Sequence, residues 1–323
     1  MNNPNSDSSQ VTHSWDTYWH GTGDAGAYSS GGVSHPAIQA FWDEFFQTVK
    51  RNYTSPAMID IASGNGAVVE RAMAVFGDEN IVITCLDVSE AAITNIRNRF
   101  PQVHGLVSDA QSIPLDQGGF DVVTSQFGVE YAGTEAIEEA ARQLAPGGRL
   151  ALLLHNQTSS IHQECVASLD AIVRLRDSRF IPYSKQMLDA GFKAVRGADR
   201  APYEAAAKQL APALQALEAI MTEHGQNVAG DTISRLYSDV DRIHRGMQRF
   251  DPAEVLEWLQ RMDGEMDAYA GRMSSMSHCA IDSEAFEGIC AGLRGQKYMI
   301  NRAEPLLIPG SELPLAWVLM LAN

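Results

Sequence analysis

The segment Asp60-Ile61-Ala62-Ser63-Gly64-Asn65-Gly66 sets an acid ahead of a turn that carries two glycines. A ligand lying against such a turn needs backbone free of side chains, and glycine also tolerates positive φ. A helix that follows the turn points the positive end of its dipole at that ligand. Asp87 stands 21 residues beyond Gly66 at the end of a second apolar run. A carboxylate there can accept both hydroxyls of a ribose. Asp109 closes a third run and Ala110 follows it. That acid can take the exocyclic amine of adenine, and the next backbone N–H can donate to the ring. Each acid alone is equally a solvated strand end. Three at successive strand ends beside a glycine turn describe a nucleoside site at the carboxyl edge of a parallel sheet.

The elements that must position these residues are legible from periodicity. Apolar runs at 57–62, 81–86, 103–107, 120–124 and 149–155 alternate with helical segments at 67–76, 89–100 and 134–145. Ser89 is the expected N-cap of the second helix, and Pro146-Gly147-Gly148 is expected to end the third. Such alternation implies an α/β fold with a parallel sheet covered on both faces. A helix at 35–51 precedes it, with Ile38, Phe41, Trp42, Phe45 and Phe46 at helical spacing. Beyond residue 155 the period is helical throughout. Ile233, Leu236, Val240, Ile243 and Met247 form one stripe; Val255, Leu259, Met262, Met266, Tyr269 and Met273 form another. Asp251, Pro252 and Glu254 mark the start of the second of these helices, and a further helix runs from near Asp282 to Gly295. Two short apolar runs, 305–308 and 315–321, read as closing strands.

With these motifs in order, the chain resembles the class I S-adenosylmethionine-dependent methyltransferases. Residues 60–66 are similar to the family's acid-x-G-x-G-x-G motif, with Ala62 in place of its first glycine. Asp87 and Val88 match the ribose-binding acid and its neighbour against the adenine. Asp109-Ala110 matches the adenine-reading pair, followed by Ile113-Pro114. Phe120-Asp121-Val122-Val123 matches the fourth motif, and Leu144-Ala145-Pro146-Gly147-Gly148-Arg149-Leu150 the segment ahead of the fifth strand. The resemblance covers about residues 35–155. It implies a Rossmann-like, seven-stranded, mostly parallel sheet with a helical cap inserted after the fifth strand. It also implies S-adenosyl-L-methionine as cofactor, held by Asp60, Ala62, Gly64, Gly66, Asp87, Val88, Asp109, Ala110 and Gln126. After the fourth strand Ser125-Gln126-Phe127-Gly128 replaces the Asp/Asn-Pro-Pro-Tyr/Phe segment used for amino-methylation of nucleobases.

The sulfonium methyl is already electrophilic, so the protein must mainly align a nucleophile and exclude water. A base matters only where the nucleophile loses a proton. His155 is the first candidate because it ends the fifth strand on the cofactor edge. Glu130 and Tyr131 follow the fourth strand and can face the acceptor. Tyr18, Trp19 and Tyr28 are expected to close over the methionine end as a lid, or to pack on the sheet edge as a staple. Most of the methionines and arginines in the helical stretch read as core stripe and solvated face.

Composition narrows the partners. The chain has 323 residues, 45% of them hydrophobic, and a formal net charge of −16. Such a field disfavours phosphate backbones and anionic lipid heads, leaving a small-molecule substrate; a homo-oligomer stays open. The four cysteines are scattered and no His/Asp/Glu cluster has ligand spacing, so no metal site is visible in the sequence. With no apolar leader at residues 1–10 and no long apolar span, a cytoplasmic protein is expected. The expected organisation is a flexible N-terminal segment with the aromatic lid (1–34), a cofactor-binding core (35–155), a helical cap (156–300) and closing strands (301–323). The expected activity is methyl transfer to a small molecule, with oxygen, nitrogen and sulfur acceptors all open on this fold and oxygen one of them. A nicotinamide-dependent oxidoreductase and a non-catalytic adenosyl-ligand-binding regulator are the alternatives. Val69 stands where a G-x-G-x-x-G fingerprint needs a small residue, which weakens the first of them.

Overall fold

The computed structural model describes residues 15, 16, 18, 19, 35–77 and 80–323. Two compact units emerge, Met1–Gln163 with Ser275–Asn323, and Glu164–Ser274. In the first unit seven strands form one sheet: β1 (Ala57–Ile61), β2 (Val82–Asp87), β3 (His104–Val107), β4 (Phe120–Gln126), β5 (Leu144–Leu154), β6 (Met299–Leu307) and β7 (Pro314–Ala322). Their order is β3-β2-β1-β4-β5-β7-β6. β1 to β5 run parallel, while β7 is antiparallel to both β5 and β6. This is the expected Rossmann-like, mostly parallel sheet. The chain order reverses between β1 and β4, the switch point at which open α/β sheets bind ligands.

The central strands are apolar on both faces because helices cover both. Ile59, Val122, Val123, Leu152 and Leu154 are fully buried. The covering helices include α1 (Pro36–Asn52), α2 (Ala67–Phe76), α3 (Glu90–Arg99) and α4 (Thr134–Arg142). His35 caps α1 by accepting from the Ala37 amide at 3.1 Å, and Pro36 opens the helix, so it starts one residue later than its apolar spacing suggests. Ser89 caps α3 as expected, accepting from the Ala92 amide at 3.1 Å.

Pro146-Gly147-Gly148 does not end a helix. α4 stops at Arg142, and the Pro-Gly-Gly segment lies within β5, where the register against β4 shifts. Its backbone is clasped from two sides. The Gly147 amide donates to the Asn323 carbonyl at 3.1 Å, and the Asn323 amide donates to the Gly148 carbonyl at 3.2 Å. A Cβ on Gly148 would lie 2.9 Å from the Ala145 carbonyl oxygen, so this bulge requires glycine. β6 is also longer than its apolar run, because polar residues such as Arg302 and Glu304 pair with β7 along the edge of the sheet, with Asn301 passed over at a register shift.

Helices α5 (Ser160–Asp177), α6 (Phe180–Val195), α7 (Ala201–His224), α8 (Thr232–Arg245), α9 (Pro252–Cys279) and α10 (Ser283–Gly295) lie between β5 and β6 in sequence. The second unit takes most of α5 and α9 and all of α6 to α8. Its core is built from the expected stripes, with Ile233, Leu236, Val240, Ile243, Met247, Val255, Leu259 and Met266 all buried. Asp251 caps α9 through the Ala253 amide at 2.8 Å. Arg174, Arg242 and Arg245 pair with acids on the surface of this unit. No helix among the described residues is long and apolar enough to cross a membrane.

Candidate active site

The carboxyl edge of β1 turns sharply into α2. Ala62, Gly64 and Gly66 all have positive φ, at 54°, 53° and 81°. Only glycine adopts this region freely, so Ala62 is held there by its surroundings. Its methyl fits because Gly128 faces it: a Cβ on Gly128 would lie 2.4 Å from the Ala62 Cβ. The glycine missing at 62 is thus supplied across the switch point at 128. Gly64 has no room for a side chain either, since the Trp19 indole lies 2.8 Å from where its Cβ would be. The aromatic residue occupies part of the space that the sequence alone assigns to a cofactor.

Asp87 ties the turn to β2. Its Oδ2 accepts from the Gly64 amide and its Oδ1 from the Ser89 amide, both at 2.9 Å. Burial pushes its pKa up, and the two amides pull against that. Asp60 lies deeper; its Oδ1 accepts from the Thr124 hydroxyl at 2.7 Å, and burial raises its pKa to about 7. Val88, by contrast, is 45% exposed. Asp109 is exposed and Ala110 is buried beside it. Asp109 bonds the Gln111 amide through Oδ1 at 2.9 Å.

Across the switch point, β4 and β5 bring the acceptor-side candidates together. The His155 amide donates to Glu130 Oε1 at 2.8 Å, and the Tyr131 hydroxyl lies 3.0 Å from His155 Nε2. The Phe127 ring stacks on the imidazole with centroids 4.7 Å apart, and Phe127 itself sits at φ 53°. Burial and, to a smaller extent, His162 lower the His155 pKa to about 3, so the ring stays a neutral imidazole at physiological pH. Burial raises Glu130 to about 7 against the pull of nearby backbone amides. Glu130 Oε2 is buried with no hydrogen-bond partner. Cys279, the last residue of α9, reaches the same place, and ligating atoms of Glu130, His155 and Cys279 lie within 4.8 Å of one another.

The short N-terminal segment links the two sides. Trp15, Tyr18 and Trp19 pack on Ala91 and Ala92 of α3. Asn95 holds the Trp19 carbonyl at 2.8 Å, and Asp16 accepts from the Ser89 hydroxyl. Trp15 meets the Tyr131 ring edge-on at 5.6 Å. Gln126 is engaged elsewhere, its Oε1 accepting from the Trp42 indole N–H of α1 at 2.5 Å. Tyr28 lies outside the described residues.

A protein-family profile described as a methyltransferase domain matches residues 58–148. These residues are similar to a methyltransferase domain. The curated ubiquinone/menaquinone biosynthesis C-methyltransferase UbiE of Methylobacterium nodulans is 31% identical over 133 residues, which cover 39% of this chain and 50% of the relative. That of Roseobacter denitrificans is 30% identical over 133 residues, covering 39% and 52%. The chain spans about half the length of these curated relatives. Among solved structures, geranyl diphosphate C-methyltransferase from Streptomyces coelicolor A3(2), in complex with Mg2+, geranyl diphosphate and S-adenosyl-L-homocysteine, has a TM-score of 0.35 and 17% identity, covering 45% of this chain and 64% of that one. So slight a likeness bears on neither site nor substrate.

The end of β1, its turn and the end of β2 hold Asp60, Ala62, Gly64, Gly66 and Asp87 in one assembly, with Val88, Asp109 and Ala110 along the same edge. Gly128, Phe127, Asn65, Trp15 and Cys279 escaped sequence reasoning. Asn65 is buried, and its carbonyl is held by Arg99 at 2.5 Å. Gly128 had a signal, being the glycine after the fourth strand. Cys279 had none, because it is remote in sequence from both partners.

Proposed function

We propose that this chain binds S-adenosylmethionine along the carboxyl edge of β1 to β3 and transfers its methyl group to a small molecule bearing an ionisable hydroxyl. The observation that carries the reading is Asp87, whose carboxylate fastens the left-handed Ala62–Gly66 turn while exposed Val88 flanks it. In this arrangement Asp87 holds the ribose, Val88 and Asp109-Ala110 take the adenine, and Gly64 with Tyr18 and Trp19 borders the methionine end. The bound cofactor supplies an electrophilic methyl on sulfur. The chain's own task is to place the acceptor against Glu130, Tyr131 and His155, exclude water, and relieve the acceptor oxygen of its proton. With the cofactor so held, its sulfonium would supply the methyl, and a side chain among His155, Glu130 and Tyr131 would take the proton that the acceptor gives up.

The curated relatives carry C-methyltransferase in their names, which favours the ring carbon beside such a hydroxyl as a second reading. The match to the methyltransferase profile ends at residue 148, ahead of helices α5 to α10, so acceptor choice does not carry across with it.

Calorimetric titration with S-adenosylmethionine, S-adenosylhomocysteine and NAD tests the cofactor. Micromolar binding of both adenosyl ligands, about −8 kcal/mol, without NAD binding is expected; NAD binding alone overturns the reading. Asp87→Asn is expected to weaken S-adenosylhomocysteine by about 1–3 kcal/mol. Wild-type affinity in that variant would move the ribose elsewhere. Methyl-labelled cofactor with a panel of phenolic and enolic acceptors, read by product NMR, separates oxygen from carbon transfer.

A further inference from the structure

Glu130, His155 and Cys279 come from three different elements, yet their ligating atoms converge within 4.8 Å. Around a tetrahedral zinc ion, bonds of about 2.0–2.3 Å put neighbouring ligand atoms roughly 3.3–3.7 Å apart, so side-chain shifts of about an ångström close the site. The donor set suits such an ion. Glu130 is 5% exposed, and its Oε2 has no hydrogen-bond partner, which is costly for a buried carboxylate. His155 is 2% exposed; the Tyr131 hydroxyl on its Nε2 and the stacked Phe127 ring fix its orientation, as outer partners of metal-bound histidines do. The Cys279 thiol donates to the Met276 carbonyl at 3.4 Å, a weak bond that a metal would replace.

We propose that these three residues bind one zinc ion, leaving a fourth position open to an oxygen of the acceptor. This rests on the methyl-transfer reading for the role of the fourth position, but not for the ion itself. Three protein ligands with an open position is the composition of catalytic rather than structural zinc. An acceptor hydroxyl coordinated there loses its proton to solvent more readily, and its oxygen keeps the lone pair that attacks the methyl.

The test uses the full chain, stripped of metal and titrated with Zn2+ and separately with Co2+. One equivalent per chain and a thiolate-to-cobalt charge-transfer band in the near ultraviolet are expected. Cys279→Ala should abolish the band, and Glu130→Gln should weaken zinc at least 10-fold. S-adenosylhomocysteine titrated into the same Cys279→Ala sample should bind as in the wild type, which shows that it is folded. Absence of metal uptake by the wild type, or a band that survives Cys279→Ala, overturns the site. Failure of S-adenosylhomocysteine to bind the wild type while zinc binds would instead overturn the cofactor reading.

Discussion

At the scale of residues, Ala62 and Gly128 behave as one unit. Ala62 stands where related turns carry glycine, and Gly128 leaves it room. Gly128→Ala is therefore expected to lower stability by about 1–3 kcal/mol through overpacking. Adding Ala62→Gly should recover most of the loss, as a double-mutant cycle in urea would show. If the double variant is as unstable as Gly128→Ala, the Ala62 methyl is not what Gly128 accommodates. Asp60 gives a second expectation. Its folded pKa is raised to about 7 by burial, from the ordinary carboxyl value of 3.8. Between those pH values the unfolded chain ionises this group while the folded chain keeps it protonated, so stability falls as pH rises. Relative to Asp60→Asn, the wild type should lose on the order of 4 kcal/mol at most between pH 4 and 7. Denaturant titrations at several pH values check this; parallel curves would mean that Asp60 is charged in the folded state. Both residues were legible as motif members. Neither the compensation at Gly128 nor the burial of Asp60 was, because each depends on β4 lying beside β1.

At the scale of elements, three helix starts followed local rules. Ser89, Asp251 and Asp282 each accept backbone amides from the first turn, as their types and positions require. Asp282→Ala is expected to cost about 1 kcal/mol through loss of the bond from the Ala285 amide. Asp282→Ser should restore most of it, measured as the shift in thermal midpoint; an unshifted midpoint in Asp282→Ala would show that the cap contributes nothing. The element that misled was Pro146-Gly147-Gly148. Proline and glycine punctuate helices, and nothing local distinguishes a helix stop from a bulge. The difference is made by Asn323, which arrives from the far end of the chain and bonds both glycines.

At the scale of the whole molecule, the net charge of −16 is a self-repulsion that salt screens. The thermal midpoint is expected to rise between about 0.01 and 0.15 M NaCl as the Debye length contracts from roughly 30 to 8 Å. A midpoint that falls with salt would mean that attractive pairs such as Arg71–Asp43 and Arg174–Glu223 outweigh the repulsion. The sequence by itself determined the seven-stranded α/β sheet, the helical stretch between β5 and β6, and the line of acids at the strand ends. These depend on hydrophobic period, turn residues and spacing, all of which are local. The tertiary structure decided the rest: that Trp19 lies on Gly64, that Trp15 reaches Tyr131, and that Cys279 joins Glu130 and His155. Parallel strands gather their ends at one edge from far apart in the chain. Chemistry assembled there has no spacing for a sequence to display.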